Sequence, residues 1–165
     1  MTIARTMAKT SAEKVEAGHF RILERPITAD ELIPHVLTDA YGAVATFSGT
    51  VRNHARGKQV TGLTYEAYPE MAEAEMRKIA HEVYARWPDC QVAMLHRIGK
   101  LEIGEVSVAI AVATPHRKES FEACEFAINR LKETVPIWKK EAYADGEVWV
   151  EGISPGADGA SASTS

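Results

Sequence analysis

The stretch VSVAIAVATPHRKESFEACEFAINRLKETVPIWKKE, residues 106–141, decides the fold class. It opens with an unbroken apolar run rich in Val and Ala, the pattern of a central strand covered on both faces. A helix over residues 115–134 follows, with Thr114 as its N-cap and Pro115 at its first position. Phe121, Cys124, Ile128 and Leu131 recur at the spacing of a buried stripe. Pro136 ends this helix, and residues 137–144 and 147–151 then pair as a hairpin across Ala144, Asp145 and Gly146. No glycine-rich phosphate loop joins strand to helix, which disfavours a doubly wound parallel sheet.

Outward from this stretch, strands are expected at residues 19–24, 42–52, 60–68 and 91–98. Helices are expected at 29–37, capped by Thr28, and at 69–87, stopped by Pro88. The NHARGK segment between the second and third strands reads as a hairpin loop. Hairpins outnumber parallel crossovers, so the fold class is α+β: a largely antiparallel sheet with packed helices and a terminal hairpin. Residues 1–17 are small, polar and charged and read as a mobile extension; residues 18–153 form the single folded domain. The SPGADGASASTS tail, 154–165, is low-complexity and expected to be disordered.

Composition excludes several classes. A net charge of −4 over 165 residues argues against a nucleic-acid footprint. Local basic clusters therefore suit small anions. Two cysteines, Cys90 and Cys124, are too few for a disulfide framework and lack metal-ligand spacing; Cys124 reads as a small core residue. No metal or cofactor is expected. No apolar run is long enough to span a membrane, and the basic start is not followed by an apolar signal core, so a cytoplasmic location is expected.

Candidate chemistry lies in basic clusters. His116, Arg117 and Lys118 open the long helix, where the dipole favours anions instead. Free N–H groups with Arg and His would hold a phosphate or carboxylate there; a solvated first turn explains the same residues equally well. Strand alternation puts Thr50 and Arg52 on one face and Phe47 and Val51 on the other, so Arg52 leaves its strand toward a groove or solvent. His96, Arg97 and Lys100 fall near a turn that solvation alone could explain. Lys132 follows Leu131 and so borders the buried stripe; partial loss of hydration there would lower its pKa and make it a proton donor or nucleophile. A helix C-terminus also favours lysine for purely structural reasons. In the last hairpin Lys139 shares a face with Glu141, and Lys140 with Trp138, so only one of the two lysines can face a given pocket. Edge strands also carry lysine merely to prevent pairing.

The runs FSGTVRNHARG, YEAYPEMAE, HRIGKLEIGE, ATPHRKESFEAC and LKETVPIWKKE occur in this order. Together they resemble the catalytic, large subunit of molybdopterin synthase over about residues 20–151. The resemblance implies an α/β-hammerhead-type fold and a cytosolic sulfurtransferase of molybdenum cofactor synthesis. Such enzymes turn cyclic pyranopterin monophosphate, precursor Z, into molybdopterin by installing a dithiolene. Sulfur arrives as a thiocarboxylate on the C-terminal Gly-Gly of a small ubiquitin-like subunit, and two large subunits form the centre of a heterotetramer. Residue by residue, the resemblance makes Lys132 and Lys139 catalytic. It assigns Thr50, Val51, Arg52, His116, Arg117, Lys140 and Glu141 to substrate binding. The family often carries Lys-Arg-Glu where this chain has Lys139-Lys140-Glu141, and lysine cannot reproduce a bidentate arginine fork.

One geometric consequence follows from the helix itself. Arg117 and Lys132 are fifteen residues apart, roughly 22 Å along an α-helix. A single pterin cannot touch both within one chain, so a site using both must be shared across a dimer. Two other readings compete: a scaffold that holds a ubiquitin-like partner without chemistry, and a phosphate-ester hydrolase using the same anion site. The second lacks an evident nucleophile or metal cluster.

Overall fold

The computed structural model describes residues 7–150; the tail at 154–165 lies outside them. Four strands make the central sheet, in the order β1 (Phe20–Leu23), β5 (Gln91–Arg97), β7 (Val106–Thr114), β2 (Ala43–Thr50). Only β1 and β5 run parallel; β5–β7 and β7–β2 are antiparallel. A second sheet packs beside it, ordered β3 (His54–Ala55), β4 (Lys58–Glu66), β8 (Trp138–Tyr143), β9 (Gly146–Val150), with the short β6 (Gly99–Leu101) also pairing with β4. This is the α+β class expected, with its terminal hairpin between β8 and β9.

The apolar run of β7 is buried because both faces of the sheet are covered, and alternation sorts its residues by size. Val108, Ile110 and Val112 face the main core with α3 (Pro69–Arg86) and α4 (Arg117–Thr134). Ala109, Ala111 and Ala113 face a thinner layer built on Leu32 and Val36. Strand β5 does the same: Val92 and Met94 point to the main core, Ala93 and Leu95 to the thin layer. Each large side chain fully buried here contributes about 1.5–3 kcal/mol of transfer free energy. The thin layer is where one sequence-based helix differs. Residues 29–37 form a 3-10 turn (Asp30–Leu32) and a single α-turn, α2 (Ile33–Val36), rather than one continuous helix.

Residues 7–17 depart from the mobile extension that their polarity suggests. Helix α1 (Ser11–Glu16) is closed by a capping box between Thr10 and Glu13. Val15 is buried, and Lys14 Nζ donates to the Pro88 and Cys90 carbonyls at 2.8 and 3.1 Å. One apolar residue and one long donor anchor six residues, too weak a signature to show as periodicity.

Two differences concern α4. Its N-cap is His116, not Thr114. Thr114 ends β7 fully buried, and its hydroxyl donates to the His116 carbonyl at 2.6 Å. The buried stripe is Ser120, Ala123, Cys124, Ala127, Ile128 and Leu131, while Phe121 is 65% exposed. Small residues bring α4 close to its neighbours, and Phe121 lies one step, about 100°, off that line. Arg130 fastens α4 to α3 through a fork on Glu82, at 2.8 and 2.9 Å.

At the far end of β2 the register slips between Gly49 and Thr50: Gly49 pairs with Val108 but Thr50 with Val106, leaving Ser107 as the extra residue of a bulge. A Cβ on Gly49 would lie 2.6 Å from Val108 Cγ1, so this close approach requires glycine. The NHARGK loop is the tight β3–β4 turn, with Arg56 and Gly57 both at positive φ, as a type I′ hairpin needs.

Candidate functional site

The bulge and the second sheet together shape the site. Beyond the bulge, Arg52 is exposed and lines a cavity of about 190 Å³ with Thr50, His54, Lys132, Lys139 and Glu141. The two lysines come from different elements. Lys132 projects from the last turn of α4. Lys139 stands on β8 directly opposite Tyr65 of β4, and Glu141 opposite Leu63, so these four share the sheet face turned to the cavity.

Charge is unevenly compensated within this group. Glu141 is 2% exposed, accepts a hydrogen bond from the Tyr143 hydroxyl and pairs with Lys139 Nζ at 3.5 Å. Among the described residues Lys132 has no carboxylate within ion-pair distance. Burial by the cavity walls pushes its ammonium pKa below that of an ordinary lysine, and the positive charges of Lys139 and Arg52 push the same way. Lys132 is therefore a cation held ready to give up a proton, a poise suited to acid catalysis or to an amine nucleophile.

Lys132 and Lys139 also face a second cavity of about 170 Å³, walled by Ile128, Leu131, Val135 and Ile137. Tyr65, Ser107 and Val108 border both cavities. The pair of lysines thus stands where a polar, anion-suited chamber meets a slightly smaller one of mixed lining. Two larger depressions, about 410 Å³ beside Trp138 and Trp149 and about 430 Å³ beside Trp87 and His116, bring no comparable set of cations together.

The sequence-based candidates separate on this geometry. Thr50, Arg52, Lys132, Lys139 and Glu141 converge. Val51 does not line the cavity. Its side chain is buried in the small core of Val60, Leu63 and Leu101. Its N–H donates to the Glu105 carbonyl at 3.0 Å and its own carbonyl accepts from Gly104 N–H at 2.8 Å. It anchors the turn that presents Arg52. Lys140 lies on the opposite face of β8, as strand alternation requires. Its Nζ pairs with Glu147 at 3.1 Å and sits over the Trp149 ring. His116 and Arg117 are at the other end of α4, sixteen and fifteen residues from Lys132, and His116 borders the depression by Trp87.

Other residues at the site stand differently from what the sequence suggests. His96 and Arg97 are not in a solvated turn: both are buried at the end of β5. Counting by two from Val92 and Met94 would have placed His96 on the α4 side. Arg97 points the other way and pairs with Glu105 at 3.1 Å. Tyr65 packs edge-on against the His96 ring, and burial raises its hydroxyl pKa. Ser107 carries no sequence signal, because the bulge that brings it to the two cavities depends on the Gly49–Val108 contact.

Among the described residues no cluster of three or more His, Cys, Asp or Glu is arranged to hold a metal ion, and no helix is long and apolar enough to cross a membrane. Residues 22–134 match the family model described as "MoaE protein". The molybdopterin synthase catalytic subunit of Halalkalibacterium halodurans is 53% identical over 131 residues, 79% of this chain and 84% of that protein. Its counterpart from Bacillus subtilis is 47% identical over 79% of this chain and 83% of that protein. The crystal structure of molybdopterin synthase from Staphylococcus aureus superposes with a TM-score of 0.78 at 42% identity, covering 80% of this chain and 96% of that one. The chain therefore belongs to the MoaE family, that of the molybdopterin synthase catalytic subunits.

Proposed function

We propose that this chain is the catalytic subunit of a molybdopterin synthase, moving sulfur from the C-terminal thiocarboxylate of a small ubiquitin-like subunit onto precursor Z. The observation that carries the reading is the convergence of Arg52, Lys132 and Lys139 on one cavity, with Lys132 partly desolvated and Lys139 anchored by buried Glu141.

The chemistry asked of these residues is limited. The thiocarboxylate sulfur bonds to a side-chain carbon of the pterin, and the oxygen on that carbon leaves: as water from one carbon, and as the freed phosphate oxygen from the carbon that carries the cyclic phosphate, whose C–O bond breaks. A second water then attacks the acyl carbon of the tail, the acyl–sulfur bond breaks, and the tail is left as a carboxylate. Two such transfers make the dithiolene. Lys132, with its lowered pKa, protonates the departing oxygen and stabilises the negative charge on the tetrahedral acyl centre. Lys139 holds the local field positive, while Thr50 and Arg52 bind the anionic substrate. Glu141 orients Lys139.

His116 and Arg117 take part only if a second copy of the chain supplies them, since α4 separates Arg117 from Lys132 by roughly 22 Å. The reading therefore includes a homodimer at the centre of a heterotetramer, with each site completed by the neighbour. It places the reaction in the cytoplasm, and it requires no metal or bound cofactor on this chain.

The test is reconstitution. Full-length chain, thiocarboxylated small subunit and precursor Z are mixed, and the dithiolene product is oxidised to a fluorescent pterin. Product with the wild type and none with Lys132→Ala, at unchanged affinity for the small subunit, is the expected result. Tight binding of the small subunit without product from the wild type would reduce the chain to a binding module.

A further inference from the structure

The mechanism above leaves one buried titratable group beside the reacting centre unused. His96 is 5% exposed, on the α4 side of β5, and its Nδ1 lies 2.8 Å from the Arg97 carbonyl oxygen. A carbonyl only accepts, so Nδ1 carries the proton and Nε2 carries a lone pair. Among the described residues no protein group is hydrogen-bonded to Nε2. The ring lines the smaller of the two cavities, which Lys132 and Lys139 line as they do the other. The edge of Tyr65 steadies it from the side, with ring centroids 5.1 Å apart.

An acceptor of fixed tautomer facing a cavity rimmed by ammonium groups has an evident complement. Of the two lysines, Lys139 already has Glu141 as a partner at 3.5 Å. Lys132 has the flexible four-carbon stem and three rotatable donors that can turn from one cavity to the other. We infer that His96 is a positioning residue for Lys132: its Nε2 accepts a hydrogen bond from the Lys132 ammonium when that side chain turns into the smaller cavity, and so fixes the direction in which the ammonium meets the reactants.

The electrostatics agree. Burial pushes the His96 pKa down to about 4, and the charge of Lys132 pushes it the same way. The imidazole therefore stays neutral near pH 7. It does not act as a base there and adds no positive charge beside Lys132. Lys139 on β8 and Arg52 after β2 act on the Lys132 ammonium, and Tyr65 on β4, His96 on β5 and Glu141 on β8 line the cavities it faces. Burial foremost, and then the two cations, drive its proton off; on this inference the His96 lone pair opposes them.

The inference rests on the assignment of Lys132 as the acid, so its test is made independent of product formation. Acetic anhydride labels neutral amines, and labelling of Lys132 in the purified full chain, read by peptide mass spectrometry across pH, reports its proton equilibrium. His96→Met removes the acceptor and is expected to move the Lys132 labelling midpoint down by about one pH unit. His96→Gln returns an acceptor near the Nε2 position and is expected to leave the midpoint within a few tenths of the wild type. In the reconstituted reaction kcat should fall with Met and be rescued by Gln, with little change in KM. An unchanged midpoint in the Met variant, or equal shifts in both variants, overturns the inference. If the Met variant does not melt cooperatively, His96→Asn serves instead: it keeps the donor toward Arg97 and is too short to present the acceptor. A wild type that makes no product would remove the synthase reading, yet the labelling would still decide whether His96 and Lys132 are coupled.

Discussion

Replacing Gly49 by alanine tests how the site is shaped. The new Cβ would lie 2.6 Å from Val108 Cγ1, whereas ordinary carbon contacts begin near 3.5 Å. Val108 cannot easily yield. It is β-branched, 4% exposed, and lodged between the main core and both cavities. Strand β2 must then move away from β7 at the bulge that aims Thr50 and Arg52. Overpacking of this kind costs about 2 kcal/mol, which lowers Tm by roughly 4–8 °C in a domain of this size. Removing the obstacle should remove the cost. In a Val108→Ala background the next contacts of the added Cβ are Phe47 Cε1 at 3.4 Å and Ser107 Oγ at 3.6 Å, close to ordinary packing. Urea denaturation of the wild type, both single variants and the double variant gives the cycle. Gly49→Ala should cost at least about 1 kcal/mol less when Val108 is alanine. Equal costs on both backgrounds, or a single variant as stable as the wild type, would refute the argument that this contact sets the bulge.

Three further outcomes concern charge. Product formation that needs the Lys132 ammonium should fall on the alkaline side at a lower pH than for an ordinary lysine, because the pKa of Lys132 is depressed. Lys139→Met removes a repelling cation and frees Glu141, so this limb should move to higher pH; a downward shift in a pH–rate series would contradict the assignment. Lys140→Ala should leave kcat within about two-fold, since Lys140 pairs with Glu147 on the far face of β8, whereas Lys139→Ala should lower it at least about ten-fold. His96 titrates near 6.5 when unfolded and about 4 when buried. The unfolded state therefore binds the proton first, and stability is full above about pH 6.5 and lost as pH falls toward 4, by up to about 1.4 kcal/mol per pH unit. Urea midpoints against pH should fall less steeply for His96→Gln than for the wild type; parallel curves would show that His96 is not the titrating group.

How much of this was legible in the sequence depends on the range of the interaction responsible. Strand β7 and helix α4 were readable because local periodicity alone specifies them. The converging cations Arg52, Lys132 and Lys139 were legible as residues of the family's motifs, and the split between Lys139 and Lys140 as strand alternation. Three things were not legible. The resemblance made Val51 a site residue although alternation set it on the face opposite Arg52, and its backbone bonds to Gly104 and Glu105, from a loop over fifty residues away, could not be read. Ser107 reaches the cavity only because Gly49 permits the bulge. The cap of α4 falls at His116 because β7 runs on through Thr114, whose hydroxyl is taken by the chain that follows it. In the latter two a long-range contact overrode a local preference.

The two lysines also show why the site needs Glu141. Arg52, Lys132 and Lys139 line one cavity in a chain whose net charge is −4, so the concentration of positive charge is local and works against folding. A carboxylate beside Lys132 would relieve it, but would stabilise that ammonium and raise its pKa, away from what an acid catalyst near neutrality requires. A carboxylate beside Lys139 relieves the same repulsion without that penalty. Glu141 is on the Lys139 side, buried, and held by the Tyr143 hydroxyl so that it cannot swing across. The sheet enforces this choice: residues 139 and 141 are two apart on one strand and share a face, while Lys132 arrives from a helix. One lysine thus keeps its counter-ion and the other is left without one, the division that the proposed mechanism uses when it takes field from Lys139 and the proton from Lys132. Exchanging the partner, by Glu141→Gln together with a carboxylate introduced at Ser107, should raise the Lys132 labelling midpoint and slow sulfur transfer in the same variant; a raised midpoint at undiminished rate would break the link between the depressed pKa of Lys132 and its role as the acid.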